Sequence, residues 1–120
     1  MAGKRFVVEI GMGVDLHGED MTEVCCRAVK DAISRSCLCG LVEILGIEDL
    51  DLVEVQMVVA CPRPEEVDLE RVKEVAPVGR KSAQAVRGGM SAQGMCVDRF
   101  GPDCDRITVA NAAVTLLVNE

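Results

Sequence analysis

The sequence predicts a single α+β domain in which two helices cover one face of a four-stranded sheet, with element order β-α-β-α-β-β. Three observations carry that prediction. Apolar and polar residues alternate over residues 5–10 and 53–61, the period of an extended strand. Between them Val24, Cys25, Ala28, Val29, Ala32 and Ile33 recur at helical spacing. Residues 107–118 hold six β-branched residues in twelve and are apolar on both sides apart from Asn111 and the threonines, the composition of a central or interface strand.

Taken in order, the first strand sets Phe6, Val8 and Ile10 on one side and Arg5, Val7 and Glu9 on the other. Gly11, Gly13 and Gly18 then predict a loop. Asp20, with Glu23 three residues on, is an N-cap, and Gly40 is placed to end the helix it starts. Residues 41–52 mix apolar and acidic side chains, consistent with a short helical turn. The second strand follows at 53–61 and is closed by Pro62 and Pro64. Asp68 caps a second short helix that Pro77 and Gly79 terminate. Residues 81–92 form a third, irregular strand bent at Gly88-Gly89, and residues 94–105 are a loop containing Pro102. Two helices cover only one side of such a sheet, yet the last strand is apolar on both. The uncovered face is therefore expected at a homo-oligomer interface.

The totals bound the function. The chain has 120 residues, 49% of them hydrophobic, which suits one domain spanning 1–120. A net charge of −7 and the absence of Trp and Tyr remove both the basic footprint and the stacking platforms of nucleic-acid binding. No apolar run approaches the roughly 18 residues that a membrane helix needs, and Glu9 cuts the N-terminal apolar stretch short of a secretory signal. A cytoplasmic location without membrane contact is the expectation. Seven cysteines, an odd number and several at apolar-patterned positions, read as buried thiols in a reducing compartment. Cys37-x-Cys39 is a weak metal signal and Cys61 reads as core.

Chemistry concentrates in Gly13-Val-Asp-Leu-His-Gly-Glu-Asp-Met-Thr22. Asp15, His17 and Asp20 converge in one short segment and could hold a divalent metal ion, with Asp20 and Thr22 also placed to contact a ligand. Asp15 beside His17 is equally the pairing that orients a general base, and both residues are the catalytic candidates. A plainer reading makes Asp20 a helix cap and Asp15 a turn residue. Gly11-x-Gly13 lacks the third glycine of a dinucleotide loop, because position 16 is Leu16, and no phosphate-loop motif occurs. Lys81 beside Arg80 could receive an anion. Gly88-Gly89-Met90-Ser91 carries the ingredients of an oxyanion pocket, with Lys81 as a partner for Ser91. Asn111 is a polar residue at an expected buried position, so it needs a partner or a ligand.

Residues 11–22, Gly-Met-Gly-Val-Asp-Leu-His-Gly-Glu-Asp-Met-Thr, and 27–33, Arg-Ala-Val-Lys-Asp-Ala-Ile, resemble a family of small conserved hypothetical proteins of about this length. The resemblance extends through Pro64-Glu-Glu-Val-Asp68, Gly88-Gly89 and Val109-Ala-Asn-Ala-Ala-Val114. It implies identity without activity, since the family is uncharacterised. The extra cysteines depart from the family pattern and weaken any thiol mechanism. The paired glycines near a serine are also similar to one repeat unit of ring-opening amidohydrolases, which implies a Ser and Lys pair. Three functions are thus expected to compete: a homo-oligomer binding a small ligand or metal at Asp15, His17 and Asp20; a small hydrolase or isomerase with His17 as base; and a structural or partner-binding module.

Overall fold

The computed structural model describes residues 3–95 and 105–119. Strand β1 (Lys4–Asp15) leads to helix α1 (Met21–Ile33); a short helix α2 (Cys39–Glu43) and a 3-10 turn (Leu50–Leu52) precede β2 (Glu54–Cys61). A second 3-10 turn (Pro64–Glu66) and α3 (Leu69–Glu74) follow, then β3 (Arg80–Arg87), β4 (Met90–Gln93) and β5 (Arg106–Val118). The sheet runs β1-β5-β2-β3, with β4 also paired to β5. As its composition requires, β5 is central, antiparallel to both β1 and β2, whereas β3 is parallel to β2. The fold is α+β with a mixed sheet.

Five strands and three helices replace the expected four and two, and each difference has a local cause. The stretch from 81 to 92 is two strands, because Gly88-Gly89 is a lane change rather than a bend. β3 runs beside β2 until Arg87 lies opposite Cys61; the chain then steps into the lane β2 has vacated and pairs Met90 with Val109. Gly89 takes φ 65°, and a Cβ there would overlap the carbonyl of Val109. The third helix, α2, contains Gly40, which therefore does not end α1. That helix stops at Ser34, whose N–H donates to Lys30 O, and Phe6 packs its ring on Gly40.

β1 continues to Asp15 instead of breaking at Gly11. Gly11 and Gly13 are extended strand residues facing α1, and a Cβ on Gly11 would collide with the backbone of Ala28 and Ala32. A Cβ on Gly13 would likewise strike Val24 O and lie 2.7 Å from Ala28 N. Their missing side chains let the helix backbone rest directly on the strand. From there α1 seals the outer edge of β1: Arg27 Nη1 donates to Val14 O at 2.7 Å, Met12 N donates to Asp31 Oδ2 at 2.9 Å, and Arg35 Nη2 donates to Ile10 O at 3.3 Å. The i, i+4 spacing of those three side chains matches one edge of a strand, so three of the backbone groups that could recruit another chain are occupied.

Strand register sorts the side chains into rows. Toward the helices lie Glu9–Val114–Met57–Ala83 and Gly11–Ala112–Val59–Ala85; away from them lie Ile10–Ala113–Val58–Gln84 and Met12–Asn111–Ala60–Val86. The helix-side rows join Met21, Val24, Cys25, Ala28, Val29, Leu41 and Val72 in one buried core. Asn111, expected to be buried, is exposed on the open face. Pro102 and most of the expected 94–105 loop lie outside the described residues. Because the α1 backbone sits against Gly11 and Gly13, Gly11→Ala or Gly13→Ala should cost roughly 3 kcal/mol in urea denaturation, the scale of an overpacked core. Unchanged midpoints would show that the helix can move away freely.

Candidate functional site

β1, β2 and β3 point the same way, so their C-terminal ends and the loops after them meet at one end of the sheet. That end carries most of the sequence-nominated residues. Asp15 closes β1, and its Oδ1 accepts from the N–H of His17 at 3.0 Å, a turn that tightens the chain toward the helix. Register places Asp15 opposite Thr108 and Thr108 opposite Ser91, so the three align across β1, β5 and β4 on the helix side. Thr108 is almost wholly buried and its hydroxyl donates to Gly18 O at 2.8 Å, tying the loop above to the central strand.

Asp20 is the N-cap of α1, its Oδ1 accepting from Glu23 N at 3.1 Å. Thr22 is a clasp. Its Oγ1 accepts from Asp68 N at 2.9 Å and donates to Glu66 O at 3.4 Å, joining the first turn of α1 to the start of α3. Arg63 braces the same junction, donating to Glu66 Oε2 at 2.6 Å, to Glu19 Oε1 at 3.4 Å and to Glu19 O at 3.2 Å. Its hydrogen bond with Glu66 raises the guanidinium pKa, with the neighbouring carboxylates adding to the effect. Asp20 and Thr22 therefore serve the fold through bonds already made. Among the described residues no group of three or more His, Cys, Asp or Glu side chains is arranged to hold a metal ion.

The remaining candidates lie elsewhere. Lys81 pairs with Val55 opposite Leu116, eight positions along β5 from Thr108 and Ser91. At about 3.4 Å per residue the two are about 27 Å apart along the sheet, so one chain does not form the Lys81–Ser91 pair that the amidohydrolase similarity implies. Lys81 instead lines a polar hollow of about 190 Å³ with Glu54, Gln56, Arg80 and Ser82. Asn111 is on the opposite face from Thr108 by strand alternation. A concavity of about 560 Å³ lies between residues 46–53, Arg80 and the end of β5, and among the candidate residues it comes near Lys81 alone, through its neighbour Arg80.

Cys25 and Cys61 are buried and free, and burial with a hydrogen bond to Cys61 pushes the Cys25 thiol far above its ordinary pKa. Cys26 is raised too, mainly by burial. Neither Cys25 nor Cys26 is an activated nucleophile. Cys37 and Cys39 are exposed and free.

Two residues of consequence escape the sequence reading. Thr108 looked like one more β-branched residue of an apolar strand. Glu9 shares the buried side of β1 with Gly11 and Gly13, and is itself only 9% exposed. A signal existed: residues 9, 11 and 13 share one side, and glycines on a strand mark the side where something packs closely.

The sequence pattern of Lin0512_fam, described as a conserved hypothetical protein, matches residues 5–116. The chain belongs to this family. A crystal structure of an FtsZ-like protein of unknown function from Nostoc punctiforme PCC 73102 is similar at 38% identity and a TM-score of 0.91, covering 100% of this chain and 99% of that one. Among the curated proteins none matches. The two chains therefore share one fold over their full length. Removing the clasp should be measurable: Thr22→Val leaves Asp68 N–H and Glu66 C=O without a partner and should lower stability by about 1–2 kcal/mol in chemical denaturation. A neutral result would deny the hydroxyl its role at the junction.

Proposed function

We propose that the protein is a cytoplasmic homo-oligomer whose copies associate through the open face of the sheet. The single observation that supports this reading is the composition of that face. Ile10 is 63% exposed, Met90 58%, Met12 54% and Val8 47%, and Val58, Ala60, Val109 and Ala113 lie among them on the same side. Charged residues on this side gather at one end, in the row Arg5–Leu117–Glu54–Arg80. On a chain carrying −7, a patch without charge is where a second copy can make contact with no like charges brought together, which makes a second copy the natural occupant. Four strands about 4.8 Å apart and eight residues of β2 at about 3.3 Å each give a face of roughly 500 Å² in projection. Two such faces together reach the ~1,000 Å² that a specific interface needs. The side chains of α1 along the outer edge of β1 disfavour strand addition at that edge. Free thiols among the described cysteines fit a reducing compartment.

A second reading, a small-ligand or catalytic site at Asp15 and His17, draws on the alignment of Asp15, Thr108 and Ser91 beneath the 16–20 loop. It uses His17 as general base and Asp15 as its orienting carboxylate, without a role for Lys81.

Native mass spectrometry tests both. The wild type should show a multiple of the chain mass, and Ile10→Glu or Val58→Asp should yield monomer at the same concentration, because each buries a charge in the apolar contact. A wild-type monomer, or an oligomer indifferent to both substitutions, contradicts the first reading. Additional bound mass that His17→Ala removes would establish the second.

A further inference from the structure

We infer that the protein holds a second, unrelated site: a small cavity under the helix layer, built around Glu9, that takes a primary alkylammonium ion. The cavity exists because α1 ends early. Gly11 and Gly13 fix the helix over their own rows of the sheet, and α1 finishes at Ile33, so the row containing Glu9 lies past its last turn. Loop residues rather than helix cover that row. The resulting space, about 210 Å³, has Val55 and Val114 in its floor and Ile33, Leu38 and Ala76 in its walls, with an apolar lining overall.

Glu9 forms part of that wall and is only 9% exposed; its Oε2 is turned out of reach of water and has no hydrogen-bond partner among the described residues, and rotation of the carboxyl group about Cγ–Cδ is what presents an oxygen to the space. Such an atom is an anomaly in a folded chain, where buried polar groups are hydrogen-bonded. A carboxylate oxygen only accepts, so what is missing is a donor, and a cationic one is the strongest partner for it. A metal ion does not fit, since one carboxylate among hydrocarbon walls supplies too few ligands. An ammonium group does. It needs one charged acceptor and accepts help from a hydroxyl, which Ser36 at the cavity lining provides, while its alkyl body matches the apolar walls. At the ~30 Å³ that a water molecule occupies, the space admits about seven heavy atoms, the size of an amine with four to six carbons.

Calorimetric titration of the intact protein with n-pentylammonium chloride tests the site, with n-pentanol as the uncharged control of equal shape. Saturable binding is expected, at least tenfold weaker for pentanol and at least tenfold weaker in Glu9→Gln. Ala76→Leu, which fills the space and leaves Glu9 in place, should abolish it; circular dichroism establishes that each variant is folded, and should Glu9→Gln unfold, Ala76→Leu and pentanol decide. Absence of saturable binding to the wild type overturns the proposal. Equal affinity in Glu9→Gln, which would mark general attraction of a cation to an acidic protein, overturns it also, as does binding that survives Ala76→Leu. None of these outcomes depends on the open face, which is on the other side of the sheet.

Discussion

The direct contact between the backbone of α1 and the glycines of β1 governs the rest of the architecture. Helices normally stand off a sheet by the depth of two side-chain layers, whereas here Gly11 and Gly13 remove one layer and Ala28 and Ala32 thin the other. The helix axis is thereby pinned over one edge strand. That position allows Arg27, Asp31 and Arg35 to reach the free backbone of β1, and it leaves the sheet beyond Gly11 to be covered by loops. A sealed edge and a cavity at Glu9 are consequences of the same close approach.

The far end of the sheet is organised by hydrogen bonds instead. Thr108, Thr22 and Arg63 each link two segments that are distant in sequence, through bonds to loop carbonyls, amides or carboxylates, and Asp20 caps its own helix. Asp20 and Thr22 of the glycine-containing segment thus have a structural occupation, and a chemical role at Asp15 and His17 would be built on top of that framework. The open face has no such occupation. Its rows of Ile10, Met12, Val58, Val109 and Met90 are stabilised only if something excludes water from them, because an apolar surface of this extent is unfavourable when wetted.

Local features were legible in the sequence and relational ones were not. Asp20 as cap, the helical spacing of Val24 to Ala32, the stop at Pro62 and the two-sided apolar pattern of β5 follow from nearest-neighbour chemistry, and the structure carries each of them. The strand glycines misled because a glycine reads as a break unless the helix it receives is known. Alternation in β1 exposed two faces without saying which was covered, and the answer is the reverse of hydropathy: Val8 and Ile10 are outside, Glu9 inside. The division of 81–92 depended on where β2 ends in space, which no local pattern encodes. The same limit separated Lys81 from Ser91, two residues ten apart in sequence and at opposite ends of the sheet.

If the open face is buried between copies, folding and association are one equilibrium, and thermal stability must depend on protein concentration. Melting curves over a hundredfold dilution series are the most direct test of this account. The midpoint is expected to fall steadily on dilution, and to stop falling in Ile10→Glu. A wild-type midpoint that stays constant across the series would contradict the account, for it would mean that the helix-covered side alone stabilises the chain and the open apolar face is tolerated in water.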